Sequence, residues 1–139
     1  MGELSIFNLQ NFITENKCKT YVETGTGIGV CLSHMLQYNL DHYYTIDVDG
    51  DMIEDAKIKF DNNSKITFIH DYSTAALEKL VPTLEKDIPV LFFLDAQTIN
   101  NKIPTITVIG ILIYKSIPIF FNFYRLLNVL NKNVSAFFA

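Results

Sequence analysis

Seven consecutive residues, Glu23-Thr24-Gly25-Thr26-Gly27-Ile28-Gly29, join an acidic side chain to glycine at every second position. Glycine lacks a Cβ, so this run turns tightly and lets a ligand lie directly against the main chain. Further on, Asp47 closes a short apolar run, a placement from which a carboxylate can accept hydrogen bonds from both hydroxyls of a ribose. Two more apolar runs also end on acids. One is Ile66-Thr67-Phe68-Ile69-His70-Asp71, followed by Tyr72, and the other is Val90-Leu91-Phe92-Phe93-Leu94-Asp95-Ala96.

Three kinds of nucleotide-handling loop share the order strand, glycines, helix. A phosphate loop needs Gly-x4-Gly-Lys-Ser/Thr, and no lysine follows these glycines. The dinucleotide fingerprint Gly-x-Gly-x-x-Gly needs glycine at position 30, which is Val30. What remains is an acid followed by Gly25, Gly27 and Gly29, with a glycine-rich turn that holds no ligand as the plainer alternative. The helix expected after the loop opens with unpaired N–H groups and a partial positive charge.

The elements that must carry these residues follow from the apolar spacing. Apolar runs alternate with amphipathic stretches, the sign of βαβ units around a parallel sheet. Strands are predicted at Thr20–Thr24, His42–Ile46, Ile66–Ile69 and Pro89–Leu94. The last is apolar throughout, as a strand covered on both faces should be. Helices are predicted at Leu4–Asn16, Ile28–Tyr38, Asp49–Phe60 and Thr74–Lys86, the last kinked or ended by Pro82. Their expected buried sides are Ile6, Leu9, Phe12 and Ile13; Val30, Leu32, Met35 and Leu36; Met52, Ile53, Ala56 and Phe60; and Leu77, Leu80, Val81 and Leu84. Asp49 reads as the cap of the third helix rather than a ribose ligand, and Asp71 as either a ligand residue or the cap of the fourth. His34 and His42 read as packing or surface residues, while His70 stands beside Asp71 and the pocket.

The four strand-end segments, in this order and spacing, resemble the cofactor-binding motifs of class I S-adenosylmethionine-dependent methyltransferases over about residues 18–96. The resemblance implies a Rossmann-like three-layer α/β sandwich with a mainly parallel sheet of order 3-2-1-4, extended by a fifth strand if Ile106–Tyr114 forms one. It also implies the site. Glu23 would orient the methionine part through the loop, with Thr24, Gly25, Thr26, Gly27 and Gly29 beneath it. Asp47 and Val48 would hold the ribose, and Asp71 with Tyr72 would flank the adenine. Asp95 would position the acceptor as a catalytic residue, or ligate a divalent metal if the reaction uses one. Leu94-Asp95-Ala96 is similar to a branch reading Leu-Asp-Ala-His, which includes macrocin-type sugar O-methyltransferases; here Gln97 stands in place of that histidine. The implied activity is methyl transfer, most simply to oxygen of a small-molecule acceptor. A non-catalytic cofactor-binding remnant and a membrane-attached protein are the competing readings.

Bulk properties narrow the field. The chain has 139 residues, 49% hydrophobic and 19% charged, which suits one packed domain and not a disordered chain. A formal charge of −4 gives no reason to expect nucleic acid as a partner. Cys18 and Cys31 lack metal-site spacing and read as reduced thiols of a cytoplasmic protein. The N-terminus has neither the basic start nor the apolar run of a signal peptide. Ile103–Phe121 approaches the ~20 residues of a membrane span, but Lys115 and Pro118 lie inside it and argue against one. If nothing covered the fourth strand, its apolar edge would favour self-association.

The two ends of the chain differ sharply. All fifteen acidic residues fall within residues 1–95, and the last 44 residues hold only Lys102, Lys115, Arg125 and Lys132 as charged groups. The break falls where the resemblance stops, dividing a cofactor-binding part at 1–96 from an atypical apolar segment of the same domain at 97–139. The 43 residues after Ala96 are too few for the further helices and strands that the resemblance implies, at ~5–12 residues each plus connections. The coincidence predicts a shifted reading frame or a truncation near codon 97. Sequencing the locus and translating its other two frames is expected to restore acidic, family-like sequence; if neither frame does, the expectation fails.

Overall fold

The computed structural model describes residue 4 and residues 8–85, 87–96 and 106–112, with side chains in the two last strands described only for residues 90–94. The first helix, α1 (Leu9–Asn16), is capped by Asn8, whose side chain accepts from the Gln10 amide, and it stops at Lys17 in a left-handed conformation. Then follow β1 (Thr20–Thr24), α2 (Val30–Met35) with a 3₁₀ turn at Leu36–Tyr38, β2 (His42–Asp47) and α3 (Gly50–Lys59). After them come β3 (Ile66–His70), α4 (Ser73–Leu80) with a 3₁₀ turn at Val81–Thr83, β4 (Val90–Ala96) and β5 (Ile106–Leu112). Asp49 caps α3 by accepting from the amides of Asp51 and Met52, as its position before the apolar spacing predicts. Pro82 falls in the 3₁₀ turn that ends α4.

The strands form one sheet of order β3-β2-β1-β4-β5. The first four run parallel, and the chain is a Rossmann-like α/β fold. Alternation along each strand sends successive side chains to opposite faces. On one face Tyr21, Tyr43, Leu91 and Phe93 pack with Leu9 and Ile13 of α1 and with Leu32 and Met35 of α2. On the other, Val22, Ile46, Val90, Phe92 and Leu94 pack with Ala76, Leu77 and Leu80 of α4. Cys18 lies in the first of these clusters, and burial pushes its thiol up to about 11, so it is protonated and unreactive at neutral pH. Neither it nor the half-buried Cys31 forms a disulfide.

Three expectations need correction. Val30 does not join the buried side of α2: it is 43% exposed, whereas Leu32 and Met35 are fully buried. A helix turns about 100° per residue, so Val30 lies about 200° from Leu32, while Met35 and Leu36 fall on its side. The helix is also shorter than Ile28–Tyr38, because Gly29 in a left-handed conformation delays its start. The leading helix begins at Leu9 rather than Leu4, and Ile6 lies outside the described residues.

The fifth strand forms within the expected range, but it runs antiparallel to β4, pairing Ala96 with Ile106 and Val90 with Leu112. The rest of the apolar run Ile103–Phe121 lies outside the described residues. Among the described residues no helix is long and apolar enough to cross a membrane. The packing of α2 allows a direct check. Leu32→Ala is expected to destabilise by about 2–5 kcal/mol in urea titration. Val30→Ala, at an exposed position, should cost less than about 1 kcal/mol, and equal losses in the two variants would overturn this orientation of the helix.

Candidate functional site

The carboxyl ends of β1, β2 and β3 lie side by side, and the glycine loop leaves the first of them. Glu23 is buried at 1% exposure, and its carboxylate turns inward, into the sheet's own framework. The Tyr21 hydroxyl donates to Glu23 Oε2 at 2.7 Å, and the Thr45 hydroxyl donates to Oε1 at 2.7 Å. Register explains both contacts. Tyr21 and Glu23 share a face of β1, and Glu23 pairs with Thr45 on the adjacent strand. The Thr26 and Thr45 oxygens are 2.6 Å apart. Thr45 has a single hydroxyl proton, already given to Glu23, so Thr26 is the donor. Burial, and the Glu23 carboxylate beside it, hold the Tyr21 hydroxyl well above the ordinary tyrosine range, so it remains a donor.

The loop itself needs its glycines. Gly25, Gly27 and Gly29 have φ of 88°, 48° and 72°, values that side chains disfavour. The Gly25 amide donates to the Ile46 carbonyl at 2.8 Å and the Gly29 amide to the Thr26 carbonyl at 2.9 Å. Asp47 holds the middle: its Oδ2 accepts from the Gly27 amide at 3.1 Å and its Oδ1 from the Asp49 amide at 3.0 Å. The end of α3 braces the loop from behind, as Lys59 Nζ donates to the Ile28 carbonyl at 2.7 Å. A Cβ on Gly29 would stand 2.8 Å from the Phe60 ring. On the opposite face, the buried Thr24 hydroxyl has no hydrogen-bond partner among the described residues.

At the end of β3, the Asp71 amide donates to the Asp47 carbonyl, which ties the third strand end to the second. The Asp71 carboxylate accepts from Lys79 Nζ at 2.7 Å and from the Tyr72 amide at 2.8 Å. Lys79 foremost, then that amide, holds the Asp71 carboxyl below the usual carboxylate range. Asp71 does not cap α4; Tyr72 occupies the cap position without a side-chain bond, and its ring is 66% exposed. His70 Nε2 lies 3.1 Å from the Val48 carbonyl, which can only accept, so that nitrogen carries the proton. His34 bonds within its own helical stretch and His42 packs on Tyr44 at the amino end of β2, so neither lies at the carboxyl ends of the strands.

Asp95 is the next-to-last residue of β4, in register with Thr107, and its side chain lies outside the described residues. Among the described residues no group of three or more His, Cys, Asp or Glu is placed to hold a metal. Tyr21, Thr45, Lys59 and Phe60 are not among the residues that the motifs single out. The signal for Thr45 was the two-residue period that places it on the face of β2 shared with Asp47.

Parallel strands in this order, with a glycine loop and carboxylates at their carboxyl ends, define a Rossmann-like α/β fold. No family model matches the chain, and no curated protein matches it. Among solved structures it is similar to a candidate caffeoyl-CoA O-methyltransferase from Staphylococcus aureus, with 18% identity and a TM-score of 0.46 over 66% of this chain. It is also similar to an rRNA methylase from Streptococcus thermophilus, with 14% identity and a TM-score of 0.43 over 70% of this chain. The chain spans 57% of the length of the first and 75% of the second.

The brace behind the loop is testable. Gly29→Ala combines an unfavourable positive φ with a clash at Phe60, so a loss of about 1–3 kcal/mol is expected in urea titration. Wild-type stability in that variant would show that Phe60 does not brace the loop.

Proposed function

We propose that this chain is the cofactor-binding part of an S-adenosylmethionine-dependent methyltransferase that acts on oxygen of a small-molecule acceptor. One observation carries the reading: a positive-φ glycine loop is drawn onto the carboxyl end of β2 by Asp47 and has no lysine or arginine of its own. Such a loop lacks the lysine of a phosphate loop and suits a ligand whose ribose hydroxyls meet Asp47 while the rest lies against bare main chain.

The residues fit that cofactor. Each Asp47 oxygen accepts one main-chain amide and keeps lone-pair capacity for a ribose hydroxyl. Gly25 and Gly27 offer main chain without side-chain cover for the methionine part, with Thr24, Thr26 and Gly29 completing the loop. Val48 would lie beside the ribose, and the exposed Tyr72, next to Asp71, would offer its ring to the adenine. When bound, the cofactor supplies a methyl group made electrophilic by its sulfonium. The protein's task is then to hold acceptor oxygen and methyl close and in line. An oxygen acceptor must also lose its proton, and Asp95 at the end of β4 is the residue assigned to that step, as base or as ligand to a divalent metal. Residues 97–139 are assigned to the same domain as its atypical closing segment.

Calorimetric titration with S-adenosylhomocysteine tests the reading. Binding is expected for the wild type, with Asp47→Ala weakening it by at least about tenfold, the scale of one hydrogen bond to a charged group. Glu23→Ala is expected to weaken it as well. A well-folded protein that does not bind overturns the proposal. Binding without methyl transfer to any oxygen acceptor would instead favour a cofactor-binding remnant.

A further inference from the structure

We infer that Thr45 and Tyr21 are positioning residues that fix the glycine loop through Glu23, and so set its readiness for the cofactor; the cofactor part of this inference rests on the proposed methyltransferase function. The three hydroxyls and the carboxylate form one directed chain. Thr26 donates to Thr45, Thr45 donates to Glu23 Oε1, and Tyr21 donates to Glu23 Oε2. All four residues are buried, at 4% exposure or less, so water does not stand in readily for a missing member.

The direction of the chain has a consequence for the loop. An ionised carboxylate only accepts, so it takes the single Thr45 proton and leaves Thr45 able to receive only from Thr26. Thr26 lies between Gly25 and Gly27, and its carbonyl accepts the Gly29 amide. Its hydroxyl therefore ties the middle of the loop to β2 from within the protein, and Asp47 ties Gly27 to the same strand from the site side. None of the three hydroxyls is available to a ligand in this arrangement. They act through the loop rather than by contact, which separates them from Asp47, whose carboxylate stays half-buried at the strand end.

Amide hydrogen exchange on the ligand-free chain tests the inference independently of any cofactor. In Thr45→Val, a near-isosteric change, the Gly27 and Gly29 amides are expected to exchange about tenfold faster, on the scale of one lost hydrogen bond. Thr45→Ser, which keeps the hydroxyl, should stay within about twofold of the wild type, and Tyr21→Phe should fall between them. Thr26→Val breaks the chain at the loop without touching the sheet; it carries the same expectation and decides the matter if Thr45→Val does not fold. Thr67→Val, on β3 and outside this network, is the control and should leave the loop amides unchanged. Titration with S-adenosylhomocysteine should follow the same order, with Thr45→Val weakened about tenfold and Thr45→Ser restored. Loop exchange unaltered in the valine variants, or Thr45→Ser behaving as Thr45→Val, overturns the inference. A wild type that binds no S-adenosylhomocysteine overturns the functional reading alone, and the exchange result still stands.

Discussion

A carboxylate buried to 1% exposure must find partners inside the protein, and that requirement organises the end of the sheet around Glu23. Removing an ionised carboxyl from water costs several kcal/mol after relaxation, while each charge-assisted hydrogen bond returns about 1.5–3 kcal/mol. Leaving either oxygen unmet would therefore weigh heavily on a domain whose net stability is only about 5–15 kcal/mol. The Tyr21 hydroxyl meets one oxygen from the same face of β1, and the Thr45 hydroxyl meets the other because β1 and β2 pair with Glu23 opposite Thr45. A slip of one residue would turn Thr45 to the other face and strand the carboxylate. The acid that heads the loop thus also specifies the register of the sheet beneath it.

From that anchor the loop is fixed at three points. Thr26 is held inward through Thr45, Gly27 by Asp47 from the site, and Ile28 by Lys59 from outside. Loops of this kind are usually the mobile part of a site, but here three contacts from β2 and α3 contribute to its shape. Positive φ at three glycines is an unfavourable conformation for most residues, and these contacts hold the chain in it. Preformed geometry of this sort lowers the ordering cost of binding.

The sequence carried much of this in its spacing. Apolar runs separated by amphipathic stretches were enough to place the first four strands along the chain, while their order in the sheet followed from the resemblance of the strand-end motifs; Asp49 declared its capping role by standing just before the periodic segment at Ile53 and Ala56. The alternate glycines located the loop, and the acids after each apolar run located the strand ends. What was hidden depended on partners far apart in the chain. Thr45 is an ordinary strand residue until the register sets it against Glu23, 22 positions earlier. Lys59 and Phe60 look like a helix end until that end folds against Ile28 and Gly29. Val30 was misplaced because an apolar residue near a predicted helix start carries no signal of the phase in which the helix begins. The direction of β5 was hidden for a related reason: β-branched residues indicate a strand, but hydrophobicity is the same read from either end.

That reversed direction changes the route of the chain. Because Ile106 pairs with Ala96, β5 starts at the end of the sheet that holds the glycine loop, and it finishes at Leu112 beside Val90. Seven residues of strand cover roughly 20 Å, so the polypeptide leaves the described sheet on the pole opposite the strand-end acids. A parallel fifth strand would have delivered the chain back to the loop's own pole.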